Sequence, residues 1–96
     1  VRVDPTLSDA WIEDCAIASI MMQLQATDLG LWSCWAHLRN RTTADGTPAA
    51  EIIRRLLNVP EKYEPLCIIA VGHNGMDRKP FDEDRLQWEK VHRNCF

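Results

Sequence analysis

The chain has 96 residues, of which 46% are hydrophobic and 26% charged, with a net charge of −3; these values describe one folded domain or a piece of one, not a disordered segment. Acidic residues are spread along the sequence while arginines gather in two short loops, which argues against a continuous basic groove for nucleic acid. The longest apolar run, "CAIASIMM", is too short and broken to span a bilayer, and "VRVDPTLSDAW" lacks the charged head and apolar middle of a signal peptide, so the expected location is cytoplasmic.

At the N-terminus "VRV" alternates like the end of a strand and meets the turn "DPT". A helix is predicted from Ser8 to Leu29, because Thr6 and Asp9 have the spacing of a capping box and neither Gly nor Pro interrupts the body. Its apolar residues, among them Trp11, Ile12, Cys15, Ile17, Ile20, Met21, Met22 and Leu24, cover more than one face. Such a helix requires burial on most sides. Gly30 then ends it by tolerating the left-handed cap conformation.

"LWSCWA" reads as a buried strand, and the polar loop "RNRTTADG" carries positive charge to its end. Thr47 and Pro48 form an N-cap and first-turn pair. Ala49, Ile52, Ile53, Leu56 and Leu57 then recur on one helical face, which leaves Arg54 and Arg55 on the solvated side. Pro60 stops this helix and Pro65 forces an extended residue before it. "LCIIAVG" is a second strand, continuous enough in apolar residues to be covered on both sides. After "HNG" a charged tail carries Phe81, Leu86, Trp88 and Val91, which suit a short helix or extended arm docked on a neighbour. Two buried strands and two helices cannot cover one another. Further strands are therefore expected from a second copy, another chain or a missing N-terminal half.

Four cysteines, Cys15, Cys34, Cys67 and Cys95, lack the paired spacing of a disulfide scaffold, and buried reduced thiols are expected. Cys34 and His37 have C-x-x-H spacing, with Cys67, His73, His92 and Cys95 elsewhere as further candidate ligands. On a strand, however, positions i and i+3 point to opposite faces, and no second paired motif is present, so no metal site is expected. No cysteine sits beside an activating base or at a helix start, which removes thiol nucleophile chemistry.

The series "DCAIASIMMQLQATDLGLWSCWAHLRNR", "AAEIIRRLLNVPEKYEPLCIIAVGH" and "RKPFDEDRLQWEKVH" resembles the C-terminal half of the nitroreductase superfamily of FMN-dependent oxidoreductases, from about Trp11 to about His92. That resemblance implies an α+β fold in which helices pack on a central, mainly antiparallel sheet, completed by a partner chain or the missing N-terminal half. It implies a single domain, with residues 1–76 as a helix and strand core and 77–96 as a tail docking on the partner of a homodimer. It also implies that FMN, reduced by NAD(P)H, passes two electrons to a small planar acceptor such as a nitroaromatic or quinone.

Carried over by position, backbone atoms of Trp35, Ala36, His37 and Leu38 face the flavin. Arg78 and Lys79 match a basic tail position near the phosphate, and Arg39 and Arg41 add positive charge. No side chain receives a catalytic role, because the flavin does the redox work. There are two departures from the family pattern. The arginine-bearing N-terminal helix that grips the phosphate has no counterpart, and Trp32 stands where a glycine commonly follows "GL". The alternative expectation is a non-catalytic fragment or dimerisation module of the same fold, without flavin.

Overall fold

The computed structural model describes residues 1–94; Cys95, and any inference about its thiol, lies outside them. The long helix, α1 (Trp11–Asp28), begins three residues after Ser8, and the capping box does not form. Asp4 accepts from both the amide and the hydroxyl of Thr6, at 3.0 and 2.5 Å, and the Ser8 hydroxyl accepts from the Ala10 amide at 3.1 Å. These side chains therefore fold the approach to the helix instead of capping it. The C-terminal end follows the expectation for Gly30, which has φ +72°. Gly30 donates to Thr27 and Leu31 to Ala26, the paired bonds of a Schellman motif.

The strands form two antiparallel pairs. β1 (Arg2–Val3) lies against β3 (Glu64–Pro65), and β2 (Trp32–His37) against β4 (Cys67–Gly72), with Trp32 opposite Gly72 and His37 opposite Cys67. The Val1 amino group donates to the Cys67 carbonyl at 2.8 Å and the Leu66 amide donates to the Val1 carbonyl at 3.0 Å, so β1 runs on beside the start of β4. Directly opposed residues share a sheet face. One face therefore carries Ser33, Trp35, His37, Cys67, Ile69 and Val71, and the other Trp32, Cys34, Ala36, Ile68, Ala70 and Gly72.

α1 covers the first face. Cys15, Leu66 and Cys67 form the buried centre, with Val1, Val3, Trp11, Ile12, Trp35 and Ile69 packed around it. Ser19, fully buried, donates to the Cys15 carbonyl at 2.6 Å and lies 3.3 Å from Cys67 Sγ; its hydroxyl is thus satisfied where an unpaired one would be costly.

The second face is open. β2 was expected to be buried and β4 to be covered on both sides, yet Trp32 is 47% exposed and only Cys67 of the twelve strand positions in β2 and β4 is buried. α1 likewise buries Cys15, Ser19 and Ala26 but leaves Ile17, Ile20, Met21, Met22 and Leu24 exposed. The reason is geometric: one helix on a two-stranded sheet supplies a single contact layer, whereas these elements carry apolar residues for two. The radius of gyration, 17.0 Å, exceeds the roughly 12 Å of a compact domain of this length.

α2 (Ala49–Leu57) ends at Asn58, whose φ of 50° closes it before Pro60. Thr47 does not cap it with its hydroxyl; its carbonyl accepts from the Thr43 amide at 2.9 Å, and the Ala49 amide is taken by the Arg41 carbonyl at 2.8 Å. Arg55 is solvated and pairs with Glu51, as expected. Arg54 is not: its guanidinium donates to the Tyr63 carbonyl at 3.2–3.3 Å and pairs with Glu64, which pins the 58–64 loop back onto α2. The tail forms two 3-10 turns, Glu83–Arg85 and Trp88–Lys90, and leaves Phe81, Leu86, Trp88 and Val91 exposed.

Candidate functional site

The exit of β2 is a tight turn. The Leu38 amide donates to the Leu66 carbonyl at 3.1 Å, the Arg41 amide closes back on the Leu38 carbonyl at 3.0 Å, and Asn40 has φ 56°. In an antiparallel ladder the bonded pairs alternate. With 38 opposite 66 bonded, Cys34 and Ala36 are bonded inward, and the N–H and C=O groups of Ser33, Trp35 and His37 point away from β4. Among the described residues no other backbone group pairs with those amides. β2 thus presents an open edge, and so does β4 at Ile69 and Val71.

Of the four exit residues expected to offer backbone contacts, Trp35 and His37 have free amides on this edge, while the Trp35 carbonyl accepts from Cys34 Sγ at 3.8 Å. Ala36 and Leu38 have theirs committed to the ladder and turn. Trp35 also packs its ring in the core and Leu38 is buried, while Ala36 and His37 are exposed. Arg39 is half-buried and Arg41 exposed beside them.

Arg78 lies at the other end of the sheet. A groove of about 470 Å³ runs between Trp32 and Cys34 of β2, Ala70 to Gly72 of β4, and the segment from His73 to Met76, with Arg78 on its wall. Lys79 does not line it. Trp32 and His37 are separated by five strand steps, roughly 17 Å. The structure therefore gathers Trp35 to Arg41 at one end and places Arg78 at the opposite end. The sequence reasoning missed Trp32, Cys34, His73 and Met76 as groove residues. The available signal was the antiparallel pairing of "GLWSCW" with "AVGHNG", which brings them together.

The side chains of Arg39, Arg41, His73 and Arg78 have no ion-pair or hydrogen-bond partner among the described residues. Cys34 and His37 face opposite sides of the sheet, and no group of three or more His, Cys, Asp or Glu capable of holding a metal is found among the described residues. Cys15, Cys34 and Cys67 are free thiols; burial pushes the Cys15 thiol pKa up, and Cys34 is exposed. In the loop beside Arg41, Asp45 accepts from the hydroxyl of Thr43 and the amide of Thr47. Those bonds hold its carboxyl below the usual carboxylate range. No described helix is long and apolar enough to cross a membrane.

An α+β sheet backed by one helix, with open edges, an uncovered apolar face and unpaired cations at both ends, is a module built to meet a ligand or another polypeptide. The profile of the Nitroreductase family matches residues 6–73, and the chain belongs to that family. It is similar to the FMN-dependent nitroreductase of Clostridium difficile R20291, with 43% identity and a TM-score of 0.91, covering 99% of this chain and 55% of that one. It is similar, at 37% identity over 86 residues, to a protein of Methanothermobacter thermautotrophicus provisionally named NADH dehydrogenase/NAD(P)H nitroreductase, covering 83% of this chain and 41% of that protein. A similarly named structure from Parabacteroides distasonis has 27% identity and a TM-score of 0.80, covering 99% of this chain and 53% of the other. The chain thus spans about half the length of the relatives it matches. The α+β, nitroreductase-like fold expected from the sequence is the fold found.

Proposed function

We propose that the chain forms part of an FMN-dependent NAD(P)H oxidoreductase of the nitroreductase type, which passes two electrons from NAD(P)H to a small planar acceptor such as a nitroaromatic or a quinone. The observation that carries this is the likeness over 99% of the chain, at 43% identity, to a protein named as an FMN-dependent nitroreductase. FMN is elongated, with a planar apolar ring at one end and a phosphate at the other. The residue types present fit it: free backbone amides at Trp35 and His37 with Arg39 and Arg41 near one end, an apolar sheet face, and Arg78 at the far end.

In this assignment Arg78 would hold the phosphate by charge-assisted hydrogen bonding, and Lys79, next in sequence, would add positive charge. The Trp35 and His37 backbone groups would orient the ring edge, and Arg39 and Arg41 would make the field at the strand exit positive. Donors and positive charge there favour a ring that has gained electrons. When bound, FMN supplies the two-electron redox chemistry. The chain's residues position and shield; none needs to react.

The partner is a second copy of the chain or the remainder of the family fold. Open edges on β2 and β4, exposed apolar residues on α1, and the uncovered Phe81, Trp88 and Val91 of the tail support this. The same exposed surfaces favour a second reading, a dimerisation module without flavin. NAD(P)H consumption separates the two. The purified full protein is assayed with a quinone or nitroaromatic, with and without FMN; FMN-dependent turnover supports the oxidoreductase, and none in either condition leaves the module.

A further inference from the structure

The two arginines at the exit of β2 are unpaired, while the two acids that follow them in sequence are engaged elsewhere. We propose that Arg39 and Arg41 select an electron acceptor that bears a carboxylate on its aromatic ring. The acceptor's role rests on the oxidoreductase reading; the selection of the anion is a binding property and is tested as one.

The backbone holds both residues in fixed places. Arg39 and Arg41 are the second and fourth residues of the turn that the Arg41 amide closes on the Leu38 carbonyl at 3.0 Å, with Asn40 between them at φ 56°. The Arg39 amide donates to the Leu66 carbonyl at 3.3 Å, and the Arg41 carbonyl accepts from the Ala49 amide at 2.8 Å. Thr42 bridges to Pro48, which shuts the loop behind them. Side chains on a backbone tied at both ends need little further ordering to take a ligand.

The fold of this loop leaves the positive charge uncompensated. Asp45 accepts from the Thr43 hydroxyl and from the Thr47 amide at 3.1 Å. Glu51 pairs with Arg54 and Arg55 on α2. Neither carboxylate pairs with Arg39 or Arg41, whose guanidinium groups have no partner among the described residues. A free guanidinium presents a planar fork of donors that matches a carboxylate, and Arg39 is half-buried, where the pairing is less screened by water. In the assignment above, the Trp35 and His37 amides lie at the edge of the flavin ring, and the two arginines follow within six residues of Trp35. A planar acceptor at that edge has two cations at its rim. A carboxylate there satisfies them; a neutral substituent leaves them to water.

The probes are para-nitrobenzoate and para-nitrobenzamide, which share a ring and a nitro group and differ in charge. Calorimetry on the purified full protein without NAD(P)H gives Kd for each, and NAD(P)H consumption in the presence of FMN gives kcat/KM for each. The expected result is about fivefold tighter binding of the carboxylate, the size that two partly exposed ion pairs confer, with the same preference in kcat/KM. Raising salt from about 0.02 to about 0.5 M should bring it below about twofold. Arg39→Gln and Arg41→Gln should each cut the preference to about twofold, and Arg41→Lys should keep most of it. Arg55→Gln, which removes an exposed cation held by Glu51 on α2, should leave it intact. Equal Kd for the two probes overturns the proposal, as does binding of neither. A preference that survives both Arg→Gln variants at the strand exit, or that Arg55→Gln lowers equally, also overturns it. Turnover of both acceptors with equal Kd and equal kcat/KM removes the anion selection and leaves the oxidoreductase standing. A salt-sensitive preference in Kd that depends on Arg39 and Arg41, without FMN-dependent turnover, removes the oxidoreductase reading and leaves a site for an aromatic carboxylate.

Discussion

The amide of Leu38 donates to the carbonyl of Leu66 at 3.1 Å, and this one bond sets the phase of the whole ladder between β2 and β4. It turns the backbone groups of Ser33, Trp35 and His37 outward and those of Cys34 and Ala36 inward. Amide hydrogen exchange on the 96-residue chain should therefore show faster exchange at 33, 35 and 37 than at 34, 36 and 38. An opposite alternation would shift the register by one residue and exchange the two faces of the sheet.

Leu66 is only 2% exposed and sits at the buried centre with Cys15 and Cys67. Leu66→Ala should cost about 2–5 kcal/mol, the usual range for emptying a buried leucine site. Leu56, 72% exposed on α2, should cost no more than about 0.5 kcal/mol when replaced by alanine. Urea unfolding of the two variants gives the comparison, and equal losses would mean that the core lies elsewhere.

Arg54 and Arg55 are neighbours in sequence with different work. Arg54→Met should release the 58–64 loop and cost on the order of 1–2 kcal/mol, discounted for partial exposure of the pair. Arg55→Met removes one exposed i,i+4 contact to Glu51 and should fall within about 0.5 kcal/mol. Proteolytic nicking near Glu61 and Lys62 provides a second readout, faster in the first variant only.

The Asp45 carboxyl, held below its ordinary pKa by Thr43 and Thr47, favours the folded turn when ionised. A depressed folded pKa contributes stability above the unfolded value, about 3.9, and that contribution is lost as pH falls through the folded one. The Thr47 amide resonance should hold its position from neutral pH to about 4 and move below it. Asp45→Asn should abolish that movement.

Thiol labelling should follow burial. In a Cys95→Ser background, a maleimide should modify Cys34 first, with Cys15 and Cys67 reacting only on unfolding, since both are buried and the Cys15 thiol is pushed up. Rapid loss of all three thiols in the native protein would contradict the packing of α1 on the sheet.

What the sequence revealed was local. Gly30 at the end of α1, Pro60 beyond α2 and the strand character of "VRV" each depend on a residue's own backbone preferences, and each is found. The start of α1 was misplaced because Asp4, two residues before Thr6, takes that side chain first. Arg54 was misread because helical periodicity cannot show a loop folding back nine residues later. The groove at Trp32 was invisible for a similar reason: it needs the pairing of segments forty residues apart. The all-round apolar character of α1 was legible, but a pattern says that a surface needs covering and not what covers it. Family membership was legible because it rests on many weak matches in order.

The most direct measurement is an absorbance spectrum of the full protein purified without added cofactor, compared with that of Arg78→Ala. The account predicts flavin bands in the wild type, released as FMN on denaturation, and at least about tenfold weaker retention in the variant, as loss of a charged phosphate contact implies. A colourless protein that still fails to bind added FMN would contradict it.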